Sequence, residues 1–246
     1  MNYPVIETRE LSYRYPDGTP ALRGVSLRIL RGESVGIVGA NGAGKSTLLL
    51  QLDGLLMPGA GEIRVGDLPL NRATRKDVQR SVGFVFQDAD DQLFMPTVEE
   101  DVAFGPLNLG LPPHEVSQRV RTALASVGAA HLASRAPYHL SGGEKRTVAI
   151  AGVLAMSPAI LMLDEPSAGL DPAARRRLIA LLRSFAHTKL IATHDLDLVL
   201  DVCGRALVMH EGAIVADGPP REIFAQVEVL RRCSLEPPLS WQERAG

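Results

Sequence analysis

Gly39-Ala40-Asn41-Gly42-Ala43-Gly44-Lys45-Ser46 follows the apolar run Ser34-Val35-Gly36-Ile37-Val38 and precedes Thr47-Leu48-Leu49-Leu50-Gln51-Leu52. The run before it has the composition of a buried strand, and the segment after it that of the first turns of a helix. Strand, glycine-rich turn and helix is the context in which this pattern forms a phosphate-binding loop. Gly42 and Gly44 permit backbone conformations and a close approach that a Cβ would block. The N–H groups of the turn then point at phosphate oxygens, helped by the positive end of the helix. Lys45 brings a charge to the β- and γ-phosphates, and Ser46 offers a hydroxyl to Mg²⁺. Binding of a nucleoside triphosphate is the first expectation.

Of 246 residues, 46% are hydrophobic and 22% charged. That is ordinary globular composition, with length enough for a sizeable core. A net charge of −2 gives no electrostatic case for wrapping nucleic acid. The run Arg175-Arg176-Arg177 reads as a solvated helix face. Cys203 and Cys233 have no paired spacing, which fits a reducing cytosol and argues against a disulfide frame or structural zinc. No apolar stretch approaches the roughly 20 residues that span a bilayer. The first residues lack the charged and apolar regions of a signal peptide. The chain is expected to be soluble on its own, with any membrane role exerted through a partner.

Outward from the loop, strands and helices alternate. Residues 5–15 and 25–30 look like strands around the turn Pro16-Asp17-Gly18, and 62–65 and 82–86 are further strand candidates. From Gln87 prolines and glycines punctuate the chain up to Pro113. Helices are expected over 115–127 and 142–156. Ala159-Ile160-Leu161-Met162-Leu163 has the continuous apolar character of a central parallel strand. Helix (173–186), strand (190–193) and helix (196–202) follow, then two strands flanking Glu211-Gly212. This order implies an α/β protein with a mainly parallel sheet, helices on both faces and an N-terminal antiparallel β-subdomain. A helical lobe, about 88–157, is inserted between the phosphate loop and the apolar strand. Residues 1–232 form one domain, and 233–246, with Pro237-Pro238 and Trp241, a short tail.

The apolar strand ends in Asp164-Glu165. A carboxylate at the C-terminal edge of a parallel sheet lies at the usual ligand crevice. Asp164 is placed to orient Mg²⁺, and Glu165, one residue on, to polarise an attacking water as general base. Leu140-Ser141-Gly142-Gly143-Glu144 opens the helix over 142–156, with Ser141 as N-cap and Glu144 where a capping box puts it. A helix start carrying two bare glycines also lets an anion approach closely. One phosphate loop is already complete, so this second start suggests a site finished by another subunit.

At this point the chain resembles the ABC-type ATPases along nearly its whole length. Leu140 to Glu144 resembles their signature motif, with Glu144 where glutamine is more usual. The resemblance implies that Tyr15 stacks on adenine and that Gln87 senses Mg²⁺ and water. It implies that Ser167-Ala168-Gly169-Leu170-Asp171 crosses to the partner subunit, and that His194 contacts the γ-phosphate. Two subunits would face head to tail. Each nucleotide would lie between the phosphate loop of one (Gly39, Asn41, Gly42, Ala43, Gly44, Lys45, Ser46, Thr47) and Ser141, Gly142 and Gly143 of the other. Catalysis would rest on Lys45, Glu165 and His194, with Mg²⁺ held through Ser46, Gln87 and Asp164.

A finer resemblance lies in Val85-Phe86-Gln87-Asp88 through Asp91-Gln92-Leu93-Phe94, in Thr97 to Pro106 and in Val148 to Met156. These runs look like the energy-coupling factor branch, which drives uptake of vitamins or of cobalt and nickel ions, and the whole chain is similar to the cobalt/nickel type. The resemblance implies a second ATPase subunit, a membrane scaffold and a separate substrate-binding membrane protein, at the cytoplasmic face of the membrane. It implies no contact between this subunit and the cargo; the six histidines have no ligand spacing. Leu93, Phe94 and Met95 could dock a transporter's cytoplasmic helix or pack inside the lobe. Two other classes compete. A soluble ATPase of chromosome structure would need a long coiled coil between Lys45 and Asp164, where there is room for one lobe only. A nucleotide-gated binding module would have no use for Glu165 and His194.

Overall fold

The computed structural model describes residues 3–242; the last four residues of the expected tail lie outside that range. By internal contacts the chain divides into two compact units, one made of residues up to 79 and from 186 on, the other of residues 80–185.

The first unit opens with β1 (Pro4–Arg14) and β2 (Pro20–Leu30), then β3 (Ser34–Val38), α1 (Lys45–Leu52), β4 (Ala60–Val65) and β5 (Leu68–Pro69). Helix α2 (Arg75–Ser81) straddles the division. The second unit holds β6 (Val82–Val85), α3 (Val98–Asn108), α4 (Pro113–Ser126), α5 (Gly142–Ala155), β7 (Ile160–Asp164) and α6 (Pro172–Ser184). The chain then returns to the first unit with β8 (Thr188–Thr193), α7 (Leu196–Val202), β9 (Arg205–His210), β10 (Ala213–Gly218), α8 (Pro220–Phe224), α9 (Val227–Arg232) and α10 (Leu239–Gln242).

In the first unit β2, β1, β4 and β5 form an antiparallel sheet. Its strands alternate: Val25, Leu27 and Ile29 of β2 are buried while the residues between them are exposed, the period-2 pattern of a sheet with one covered face. β3 instead is apolar and buried from Val35 on, and runs parallel to both β8 and β9. β10 closes the edge antiparallel to β9 around the turn at Glu211-Gly212. The C-terminal residues are ordered by contact rather than composition. The N–H groups of Leu239 and Ser240 and the Ser240 hydroxyl all donate to the Asp197 carboxylate on α7.

In the second unit β6 and β7 run parallel. Val98, Val102, Val120, Leu124, Val148 and Ala151 of α3, α4 and α5 share one core. Helix α3 runs through a stretch that prolines and glycines punctuate, with Pro106 inside it. The helix forms because Thr97 and Glu100 make both bonds of a capping box and Val98 and Val102 bury their side chains. On α6, Arg176 and Arg177 are exposed while Arg175 is half-buried and Leu178, Ile179 and Leu182 are buried, so two of the three arginines form the expected solvated face.

Candidate functional site

In the first unit the site is set by strand pairing. Val38 at the end of β3 pairs with Thr193 at the end of β8 and with Val208 of β9. Parallel strands so registered release Gly39 and His194 at the same end of the sheet, the end where α/β proteins bind ligands. The loop from Gly39 to Lys45 turns there into α1. Gly44 has φ +100°, and a Cβ on it would stand 2.5 Å from the Ala21 carbonyl oxygen. At Gly39 a Cβ would stand 2.5 Å from the Met209 carbonyl oxygen. Both positions therefore demand glycine. Gly44 is the N-cap of α1, with no side-chain cap and no acid in the first turn, so the positive end of the helix is left for an anion.

Lys45 is buried, and its Nζ donates to the carbonyls of Gly39 at 2.8 Å and Ala40 at 3.2 Å. The ammonium is thus drawn back over its own loop. Asn41 and Gly42 are exposed at the tip, Ala43 is buried, and Ser46 follows Lys45 half-buried. Thr47 is buried and its hydroxyl lies 2.9 Å from that of Tyr15. The Tyr15 ring also meets Tyr13 edge-on, at 5.1 Å and 82°. The aromatic expected at the adenine is thereby tied to the helix of the phosphate loop. His194 is exposed; Asp195 after it caps α7 by accepting from the Leu198 N–H at 2.8 Å.

The second unit repeats the logic. Val85 of β6 pairs with Leu163 of β7, so Phe86-Gln87 and Asp164-Glu165 leave neighbouring strands at one end. Asp164 and Glu165 are both buried, unusual for carboxylates. Glu165 has φ +42°, a left-handed backbone that non-glycine residues seldom adopt and that concentrates at functional sites. Gln87 is exposed, and its carbonyl accepts from Arg146 Nη2, while Arg146 Nη1 donates to the Phe86 carbonyl at 2.6 Å. Arg146 escaped the sequence reading, since one arginine on a helix carries no spacing signal. It is buried; burial lowers its basicity, and Asp88 and Asp164 nearby favour its charge.

Ser141 caps α5 in a full capping box with Glu144. Ser141 and Gly142 are exposed and Gly143 is half-buried. Asp171 caps α6, accepting from Ala173 N at 2.8 Å and Ala174 N at 2.9 Å, with Pro172 in the first turn. Those N–H groups, Ala174 first, hold its carboxyl below the ordinary range. Cys203 and Cys233 are both free thiols in buried positions, and burial pushes Cys203 up to about 12. Among the described residues no helix is long and apolar enough to cross a membrane, and no three His, Cys, Asp or Glu gather to hold a metal.

The family model described as "ABC transporter" matches residues 22–168. The energy-coupling factor transporter ATP-binding protein EcfA of Methanothermobacter thermautotrophicus is 49% identical, over 95% of this chain and 77% of that protein. The solved structure of CbiO1 from Clostridium perfringens, described as part of the ABC transporter complex CbiONQ, is similar with a TM-score of 0.83 and 43% identity, covering 94% of each chain. An ATP-binding cassette solved as a dimer in a post-hydrolysis state with ADP and Pi gives a TM-score of 0.79 at 28% identity, covering 88% of this chain and 99% of that one. The chain belongs to the ABC transporter family and is an ATP-binding, ATP-hydrolysing subunit of the energy-coupling factor type.

Proposed function

We propose that this ATPase powers uptake of a transition-metal ion, cobalt or nickel, by working as one of two ATP-binding subunits beneath a membrane scaffold and a substrate-binding membrane protein. The observation that carries this reading is the likeness to CbiO1 along 94% of the chain. A second reading places the same engine under a vitamin-type importer; the comparable identity to EcfA supports the energy-coupling factor engine and is equally compatible with that cargo. The subunit would sit at the cytoplasmic face, held by its partners. The second unit offers a surface for them: Phe94, 61% exposed, and Phe104, 41% exposed, pack edge-on at 4.9 Å. Exposed paired aromatics suit a docked helix; Leu93 and Met95 are half-buried beside them.

In this reading Tyr15 stacks on adenine, and the loop from Gly39 to Thr47 cradles the phosphates through its N–H groups. Lys45 leaves the Gly39 and Ala40 carbonyls for the β- and γ-phosphates. Glu165 takes a proton from water; the water oxygen attacks the γ-phosphorus, and the bond to the ADP oxygen breaks. Lys45 and His194 stabilise the charge that develops on the transferring group. A second subunit supplies Ser141, Gly142 and Gly143 at its α5 start, and Asp171 borders the crossing loop. The donors present suit Mg²⁺: a serine hydroxyl, a carboxylate and an amide are hard oxygens, and the phosphates and water complete such a set. Ser46, Asp164 and Gln87 would hold the ion, which would supply positive charge to offset that of the phosphates. Binding energy available only in the closed pair drives closure, and loss of the γ-phosphate opens it.

The test is to purify the subunit from membranes of its native cell and identify what co-purifies. A multi-helix scaffold and a small membrane protein whose loss abolishes cobalt or nickel uptake are expected. Recovery of soluble proteins only would contradict the importer reading.

A further inference from the structure

Glu144 stands where glutamine is more usual in the resembled motif, and its carboxylate holds the Ser141 hydroxyl. Oε2 accepts from the Ser141 backbone N–H and from the Ser141 Oγ–H, each at 2.8 Å. Ser141 Oγ in turn accepts from the Glu144 N–H at 3.4 Å. These bonds, the Ser141 backbone N–H first and its hydroxyl next, keep the Glu144 carboxyl below the ordinary range. Glu144 is therefore an anion at neutral pH. Arg135 lies beside it, Nη1 to Oε1 at 3.7 Å, with its side chain 48% exposed, so water screens most of that attraction.

A serine hydroxyl has one proton to donate. In the free chain that proton is committed to a carboxylate, a charge-assisted bond stronger than one to a neutral amide. In the reading above the same proton is offered to the γ-phosphate bound by the partner subunit. We propose that Glu144 is a negative gate on closure: its carboxylate competes with the incoming γ-phosphate for the Ser141 proton and repels the phosphate charge. The gate rests on the placement of Ser141 under Proposed function. Its consequence is that the pair closes only at higher ATP and stays closed for a shorter time than with glutamine. A capping role alone predicts no change or the opposite sign. Glutamine at 144 keeps a carbonyl oxygen for the Ser141 N–H but is neutral and a weaker acceptor, so as a cap it is equal or worse.

The sign decides the matter. Steady-state ATP hydrolysis is measured for the full-length subunit, together with the second ATPase subunit it purifies with, at low and high ionic strength. Glu144→Gln is expected to lower KM for ATP about tenfold, the scale of one charge-assisted hydrogen bond, with kcat at saturating ATP within about twofold. Arg135→Gln, which removes the nearby cation and leaves the capping box intact, is expected to raise KM about threefold. Both differences shrink at high salt. An unchanged or raised KM in Glu144→Gln overturns the gate, as does a lowered KM in Arg135→Gln. Wild-type hydrolysis by Ser141→Arg overturns instead the placement of Ser141, and the gate with it.

Discussion

Helix α1 begins at Gly44 with no side-chain cap and no acid in its first turn, whereas α5 begins at Ser141 with both bonds of a capping box made and Glu144 in its first turn. Both starts carry glycine and both present the positive end of a helix. In α1 neither an N-cap side chain nor a first-turn acid occupies the helix start, which favours an anion there. In α5 the capping box satisfies part of the helix start, and an anion engaging it as proposed would exchange with a bond already made. A helix start of the first kind is a ligand site within one chain. One of the second kind is stable alone and engages conditionally, which suits a contact that has to form and break in every cycle.

The largest expected effect comes from freezing that cycle. Glu165→Gln should retain ATP binding and slow turnover by about 10² to 10⁴, measured as steady-state phosphate release; unchanged hydrolysis would remove Glu165 as the base. Breaking the α1 side comes next. Gly44→Ala puts a methyl group against the Ala21 carbonyl at a φ that alanine resists. Nucleotide affinity, read by calorimetry, should fall about 10²-fold, while a retained affinity would mean that the loop does not need this backbone.

Arg146→Ala probes the body of α5, where the guanidinium holds the carbonyls of Phe86 and Gln87. Losing charged donors to two carbonyls should cost about 2–3 kcal/mol in chemical denaturation and also slow turnover, since Gln87 loses its tether. A loss of stability with no change in turnover would confine Arg146 to the scaffold.

The smallest effect lies at the far end of α1. Asp53 caps that helix at its C-terminus, where a negative charge is disfavoured, and burial pushes its carboxyl up to about 7 from 3.8. A folded-state value above the unfolded one means stability fully present below pH 3.8 and lost as pH rises through about 7. Asp53→Asn should therefore stabilise the chain by about 1–2 kcal/mol at pH 8 and by almost nothing at pH 3.5. Equal stabilisation at both pH values would mean the charge is not the cause.

What could be read from the sequence was local. β3, its loop and α1 are contiguous, and so are β7 and Asp164-Glu165, so composition and order sufficed. Helix α3 is hidden among the prolines and glycines that punctuate 87–113, and its capping box and shared core form it all the same. The C-terminal turns stayed hidden because the Asp197 carboxylate that orders Leu239 and Ser240 is distant in sequence. The left-handed backbone of Glu165 and the arginine behind Gln87 depend on neighbours that no spacing rule reports. Glu144 was visible as a departure from glutamine, but its hold on the Ser141 proton exists only in three dimensions.

The most direct test of the account is ATP-driven pairing in a Glu165→Gln background, with and without Ser141→Arg. Mass is followed by light scattering across ATP concentrations, and ATP binding is checked separately. The account predicts that the Glu165→Gln protein pairs on ATP and that adding Ser141→Arg leaves binding intact and abolishes pairing. Pairing of the double variant at the same ATP concentration would contradict it, because α5 would then have no part in the partner's nucleotide site.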